Sequence, residues 1–198
     1  MDRARLLVLL ALALAVTALS LPARAEGDPW RLRNWRSAPE AALLPPYCNP
    51  QRDPEVRNYW KRRLGQGITW ANHYCHAMAQ THRCERVFGR ERQECLRETI
   101  SGYRYIQKHT RPSFPLWPEA SVRLGRVFEE LGEWSKALRE YENALKANPN
   151  YVPAYYRLAE YYAQRGKRDQ ARQTLEKGLS RVPNASRLKK KHRELGRD

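Results

Sequence analysis

The sequence predicts an all-α fold: a right-handed stack of helical hairpins carrying an irregular, disulfide-tied N-terminal segment. Three observations predict it. Residues toward the C-terminus repeat at an offset of 34, the apolar positions inside each copy follow helical spacing, and four cysteines cluster where the repeat fades. With 198 residues, 41% hydrophobic, 13 Pro and 10 Gly, the chain is too apolar for full disorder and long enough for one domain, or two small ones, with a true core.

Residues 1–25 read as a signal peptide. Met1 to Arg5 is a short basic stretch, Leu6 to Leu21 is an apolar run broken only by Thr17 and Ser20, and Ala23-Arg24-Ala25 offers a small-x-small cleavage pattern before Glu26. The run of 16 falls short of the roughly 20 residues that a spanning helix needs. The expectation is an exported bacterial protein, periplasmic or secreted, with no stable membrane span after cleavage. Removing residues 1–25 takes Arg3, Arg5 and Arg24 against Asp2, so the formal charge of +16 becomes +14. In an exported chain that charge points to protein or peptide partners and to anionic envelope components, not to nucleic acid. Arginine outnumbers lysine 28 to 9, which suits bidentate carboxylate or phosphate binding and which a GC-rich genome would equally produce.

Residues 26–65 form an irregular strap. Leu43 to Pro50 is a proline-rich extended segment, Trp30, Trp35 and Trp60 follow no period, and Tyr59 to Leu64 suits a short helix. Residues 66–110 then read as a degenerate, lengthened helical hairpin, with helices over Ile68 to Phe88 and Arg90 to His109 separated by Gly89.

An even count of Cys48, Cys75, Cys84 and Cys95 in an exported chain favours disulfides over free thiols. Helix geometry chooses among the pairings. Nine residues on one helix give ~13.5 Å of rise and opposite faces, which excludes Cys75–Cys84. Cys84 and Cys95 flank Gly89 almost symmetrically and face each other across the hairpin, leaving Cys75 for Cys48 in the strap. His73 and His76 lie three apart on the same helix and are the candidate metal or haem ligands. No carboxylate companion, Cys-x-x-Cys-His or His-Glu-x-x-His accompanies them, so no metal or other cofactor is expected.

The 34-residue offset superposes Leu124 on Leu158, Gly125 on Ala159, Phe128 on Tyr162, Gly132 on Gly166, Ala137 on Ala171, Tyr141 on Leu175, Ala144 on Gly178 and Pro149 on Pro183. Leu124, Phe128 and Leu131 make one helical stripe, and Ala137, Leu138, Tyr141, Ala144 and Leu145 make the next. Gly132 stands where a helix ends in a left-handed residue, and Pro149 stands where a second helix must stop. Residues 118–151 and 152–185 thus resemble two consecutive tetratricopeptide repeats. Ser121 and Tyr155 occupy the place of the family's early tryptophan, and Gly178 replaces its last alanine. Residues 186–198 supply a polar capping helix, Ser186 to Leu195 (SRLKKKHREL), and a short tail. The PPYC strap and HYC helix are also similar to exported repeat proteins of proteobacteria, a resemblance that implies no activity.

The resemblance implies a tetratricopeptide-type solenoid that binds protein or peptide in a groove lined by the first helix of each hairpin. Groove positions by that pattern are Val122, Arg123, Arg126, Glu129, Tyr156, Arg157, Glu160 and Ala163, with Arg123 and Arg157 equivalent across the offset. Two guanidinium groups in register could receive a carboxylate or phosphate; they could equally pair with Glu119, Glu129 or Glu160. The sequence carries no phosphate-binding glycine loop and no nucleophile elbow, so a non-enzymatic interaction or assembly module is expected. The alternatives are metal or haem binding at His73 and His76, and binding of an anionic polymer or membrane surface through the basic charge.

Overall fold

The computed structural model describes residues 34–48 and 54–196. The signal-peptide reading of residues 1–25, and Trp30, lie outside the described residues. Among the described residues eight α-helices follow one another: α1 (Pro54–Leu64), α2 (Ala71–Cys84), α3 (Gly89–His109), α4 (Trp117–Glu130), α5 (Trp134–Ala147), α6 (Val152–Gln164), α7 (Arg168–Arg181) and α8 (Ser186–Leu195). No strand occurs among the same residues. Helices α2/α3, α4/α5 and α6/α7 pack as hairpins, and α3 lies on α4, α5 on α6 and α7 on α8. Helix α4 also touches α6, and α6 touches α8, so the first helices of successive hairpins line up side by side.

Both repeats end their first helix in the same way. Gly132 and Gly166 adopt φ of 73° and 71°, a left-handed conformation that glycine takes without a Cβ penalty. At the first turn the Gly132 amide donates to the Glu129 carbonyl and the Glu133 amide to that of Phe128; at the second, Gly166 donates to Ala163 and Lys167 to Tyr162. This paired 5→2 and 6→1 closure is a Schellman motif, and it satisfies carbonyls that the helix ends leave open.

Inside each hairpin, size is traded between facing positions. A Cβ on Gly125 would lie 2.5 Å from the ring of Tyr141, so the two helices meet across a bare backbone and a large ring. In the second repeat the equivalent residues are Ala159 and Leu175, a larger residue opposite a smaller one, and both are buried in one apolar cluster with Tyr155, Ala171, Ala185 and Leu188. Gly178 serves the next interface: a Cβ there would meet Leu188 Cδ1 at 2.7 Å and Tyr155 Cγ at 2.8 Å. Helix α8 reaches that cluster through Leu188, which is fully buried, while Lys189 and Lys190 remain exposed. It therefore caps the stack with Leu188, helped by the partly buried Leu195, and turns a polar face outward.

The joint between the N-terminal hairpin and the first repeat is polar. Gln107 Nε2 on α3 donates to Ser121 Oγ on α4 (2.8 Å) and to Glu140 Oε2 on α5 (2.7 Å). Arg92 on α3 meets Glu130 on α4 at 2.5 Å. Ser121 thus stands in the tryptophan position because that slot receives a glutamine from the preceding helix. In the second repeat Tyr155 fills it, its hydroxyl donating to the Pro149 carbonyl at 2.9 Å.

The N-terminal elements differ from the sequence expectation in two places. The strap holds short 3-10 helices at Trp35–Ser37, Pro39–Leu43 and Pro46–Cys48, and α1 begins at Pro54 instead of Tyr59. Glu55 in the first turn of α1 and Lys61, Arg62 and Arg63 in its last complement the helix dipole, which supports the longer helix. The expected helix from Ile68 to Phe88 is instead a 3-10 turn (Gly65–Thr69) followed by α2, which stops at Cys84, and Gly89 is the first residue of α3. At Gly67 a Cβ would lie 2.2 Å from the Phe114 ring, so the 3-10 turn is where the segment before α4 presses on the chain.

Two disulfides close this half of the molecule. Cys48 joins Cys75 with a Cα–Cα distance of 5.5 Å, and Cys84 joins Cys95 at 5.7 Å. Beside them, Glu40 in the strap is wholly buried, its carboxylate accepting from Arg83 Nε at 3.2 Å and lying 3.1 Å from Arg86 Nη1. Burial pushes the Glu40 carboxyl up, but the Arg83 hydrogen bond, its own backbone amide and the charges of Arg83 and Arg86 outweigh that and hold it below the usual range. A carboxyl with a lowered folded pKa contributes stability that is complete above its unfolded value of 4.5 and is lost as pH falls through the folded value. Glu40→Gln should therefore cost about 1–2 kcal/mol at neutral pH, and its urea midpoint should converge on that of the wild type under acid. Equal destabilisation at all pH values would show that the ion pair is not the source.

Candidate functional site

The face shared by α4, α6 and α8 carries a ladder of cations. Arg123, Arg157 and Lys191 are spaced 34 residues apart, one on each helix, and all three are half-buried. Each is held by carboxylates. Arg123 Nε donates to Glu119 Oε1 (2.9 Å) and Arg157 Nη1 to Glu160 Oε2 (2.9 Å), while Lys191 Nζ lies 3.7 Å from Glu160 and 3.9 Å from Glu194. Glu160 so bridges α6 to α8. Toward α4, Glu129 is buried enough that its carboxyl is pushed up, an effect opposed by the Arg157 and Arg126 charges and reinforced by Glu160.

Tyr156 forms the aromatic centre of this face. The Arg187 guanidinium carbon stands 3.9 Å above its ring, and Arg157 and Lys191 approach to 5.8 Å. At the opposite end the strap joins in. The Tyr47 hydroxyl donates to both Glu119 oxygens at 3.2 Å, the same carboxylate that holds Arg123. Burial, and then the Glu119 charge, push the Tyr47 hydroxyl well up, so it stays a donor. The disulfide-tied strap thereby positions the first rung of the ladder.

The sequence-predicted residues divide accordingly. Arg126 is exposed, and Tyr156, Arg157, Glu160, Glu129 and Ala163 are half-buried on helices α4 and α6. Val122 is a correction: only 6% exposed, it is core. The reason is that α4 has neighbours in α3, α5 and α6, so more of its circumference is covered than a single buried stripe would be. Arg187 and Lys191 were not among the groove positions expected from sequence; Lys191 carries a signal in its offset from Arg157, whereas Arg187 has none because its equivalents are Pro153 and Glu119.

His73 lies against the Tyr105 ring with centroids 4.0 Å apart, and His109 flanks the same ring at 4.0 Å and stacks on Trp70 at 5.0 Å. His76 is half-buried on the same helix as His73. Among the described residues no group of three or more His, Cys, Asp or Glu side chains is arranged to hold a metal ion.

Residues 118–195 match the family model described as tetratricopeptide repeat. No curated protein matches the chain. Among solved structures the chain is similar to a thermophilic TPR protein of Thermus thermophilus, with 23% identity and a TM-score of 0.56 over 74% of this chain and 82% of that one. It is also similar to MamA protein (18% identity, TM-score 0.40, 69% and 78% covered) and to PilW, a widely conserved type IV pilus biogenesis factor (19%, 0.43, 75% and 65%). The first of these likenesses extends over more of the chain than the two repeats and α8. Residues 118–195, whose hairpins repeat one another turn for turn, are the part of the chain that matches the tetratricopeptide repeat family.

Proposed function

We propose that this protein is an exported, non-enzymatic interaction module that binds an acidic, extended segment of a partner protein across α4, α6 and α8. The tetratricopeptide fold is a scaffold for protein–protein interaction, and one observation carries the choice of partner. Three cations recur at equal 34-residue intervals on adjacent helices, and a fourth, Arg187, lies over an aromatic ring between two of them. Incoming carboxylates can exchange with Glu119, Glu160 and Glu194 for charge-assisted bonds to preorganised donors. Export is supported by the apolar leader pattern of residues 1–25 and by two disulfides, which persist in oxidising compartments. Among the described residues no helix is long and apolar enough to cross a membrane.

The test is fluorescence anisotropy with a library of extended peptides graded in Asp and Glu content. Affinity should rise with acidic content and fall with added salt. Arg157→Gln combined with Lys191→Gln should weaken the best peptide at least tenfold, with the fold intact by circular dichroism. Peptide binding indifferent to both charge content and this double substitution would reject the reading.

A further inference from the structure

The hairpins leave a second cleft, away from the cation ladder. It is a crevice of about 590 Å³ between α5 and α7, floored by α6. Leu145, Tyr155, Leu158, Tyr162 and Thr174 line it, all buried or half-buried. Lys146, Lys177 and Arg181 stand at its rim, exposed, with Glu142 the one acid among the lining residues. Unlike Arg123, Arg157 and Lys191, none of these three cations is tied to a carboxylate among the described residues.

The cleft is polarised along its length. Helices α5 and α6 are antiparallel neighbours, so Lys146 and Pro149 lie at the Tyr155 end and Glu142 at the Tyr162 end. Gly178 packs on Tyr155, which brings Arg181 to that same end. Positive charge therefore gathers at one mouth and the acid at the other. The interval from Tyr155 to Tyr162 is seven residues of helix, about 10 Å.

We infer that this crevice binds a single-chain anionic amphiphile, its alkyl chain along Leu145, Leu158 and Tyr162 and its head among Lys146, Lys177 and Arg181. The hydrogen-bonding capacity of the floor selects an alkyl chain over a peptide. The Tyr155 hydroxyl is already given to the Pro149 carbonyl, and Thr174 Oγ1 to the Gln170 carbonyl at 2.7 Å. The Tyr162 hydroxyl is the one donor left among these three floor hydroxyls. A peptide laid there would bury backbone carbonyls with almost no donors on the floor, whereas a methylene chain has no polar group to satisfy. The length matches an alkyl chain of about eight to ten carbons, and the volume falls within the range of ligand pockets.

The experiment is an amide NMR titration of the disulfide-bonded protein with decanoate below its micelle concentration, and with decanol. Saturable shifts are expected on α5, α6 and α7 around Leu145, Leu158 and Tyr162, with decanoate at least tenfold tighter than decanol. Lys146→Gln, Lys177→Gln and Arg181→Gln together, all at exposed positions, should bring decanoate down to the affinity of decanol. Arg157→Gln with Lys191→Gln should leave it unchanged, which separates this site from the peptide-binding face. The inference is overturned by the absence of saturable decanoate binding, by equal binding of decanol, by indifference to the triple substitution, or by shifts that centre on Tyr156 and vanish with Arg157→Gln.

Discussion

Replacing Cys84 and Cys95 together by serine should lower the unfolding free energy by about 3 kcal/mol, and replacing Cys48 and Cys75 by about 3.5 kcal/mol. The difference follows from loop length. The first bridge closes 11 residues and the second 27, and a longer loop loses more freedom in the unfolded chain. The two should also differ in kind. Cys84–Cys95 joins neighbouring helices of one hairpin, so its loss loosens α2 against α3. Cys48–Cys75 holds the strap, so its loss frees Glu40 from Arg83 and Tyr47 from Glu119 as well. Urea titration with hydrogen exchange on each variant checks this. The second variant should gain exchange near Glu119 on α4, and the first should not. Stability unchanged on removing either pair would mean that the N-terminal half is not held by its bridges.

Leu188→Ala should cost about 2–5 kcal/mol, the range for emptying a fully buried leucine site. Leu188 is the deepest apolar side chain of α8, and it fills the space left by the missing Cβ of Gly178 beside Tyr155. Without it α8 loses its main apolar attachment, and Tyr155, Ala159 and Leu175 lose cover. Exchange should rise across α7 and α8 before it rises in α4, because each unit of such a stack leans only on its neighbours. Lys189→Ala, one residue on and exposed, should stay within about 0.5 kcal/mol of wild type. Equal effects from the two substitutions would deny α8 its capping role.

The repeats were legible in the sequence because each position in them answers a local demand. Gly132 and Gly166 take a conformation that other residues resist, and Pro149 and Pro183 stand beyond the ends of helices that they could not continue. What could not be read was long-range. Glu40 is a glutamate in a proline-rich strap, and nothing near it in the chain announces two arginines 43 and 46 residues away. Ser121 reads as a departure from a family pattern until Gln107 is seen to occupy the slot. Val122 fits a groove position by register, yet burial depends on how many helices surround α4, which a period of 34 does not encode. The candidate site was half visible: Arg123 and Arg157 by their spacing, but Arg187 only by its place over Tyr156. The crevice between α5 and α7 has no sequence signature, since its walls come from three helices whose stripes read as ordinary core and solvated surface.

Zero-length carbodiimide cross-linking with peptide mass mapping tests directly whether the stapled hairpin, the two repeats and α8 form one continuous array. In the Arg92→Lys variant, whose new amine can react where a guanidinium cannot, two amide links are expected. One joins position 92 on α3 to Glu130 on α4, and the other joins Lys191 on α8 to Glu160 on α6. A map lacking both, with the same amines coupled instead to carboxylates on non-neighbouring helices, would contradict the stacking on which the binding faces depend.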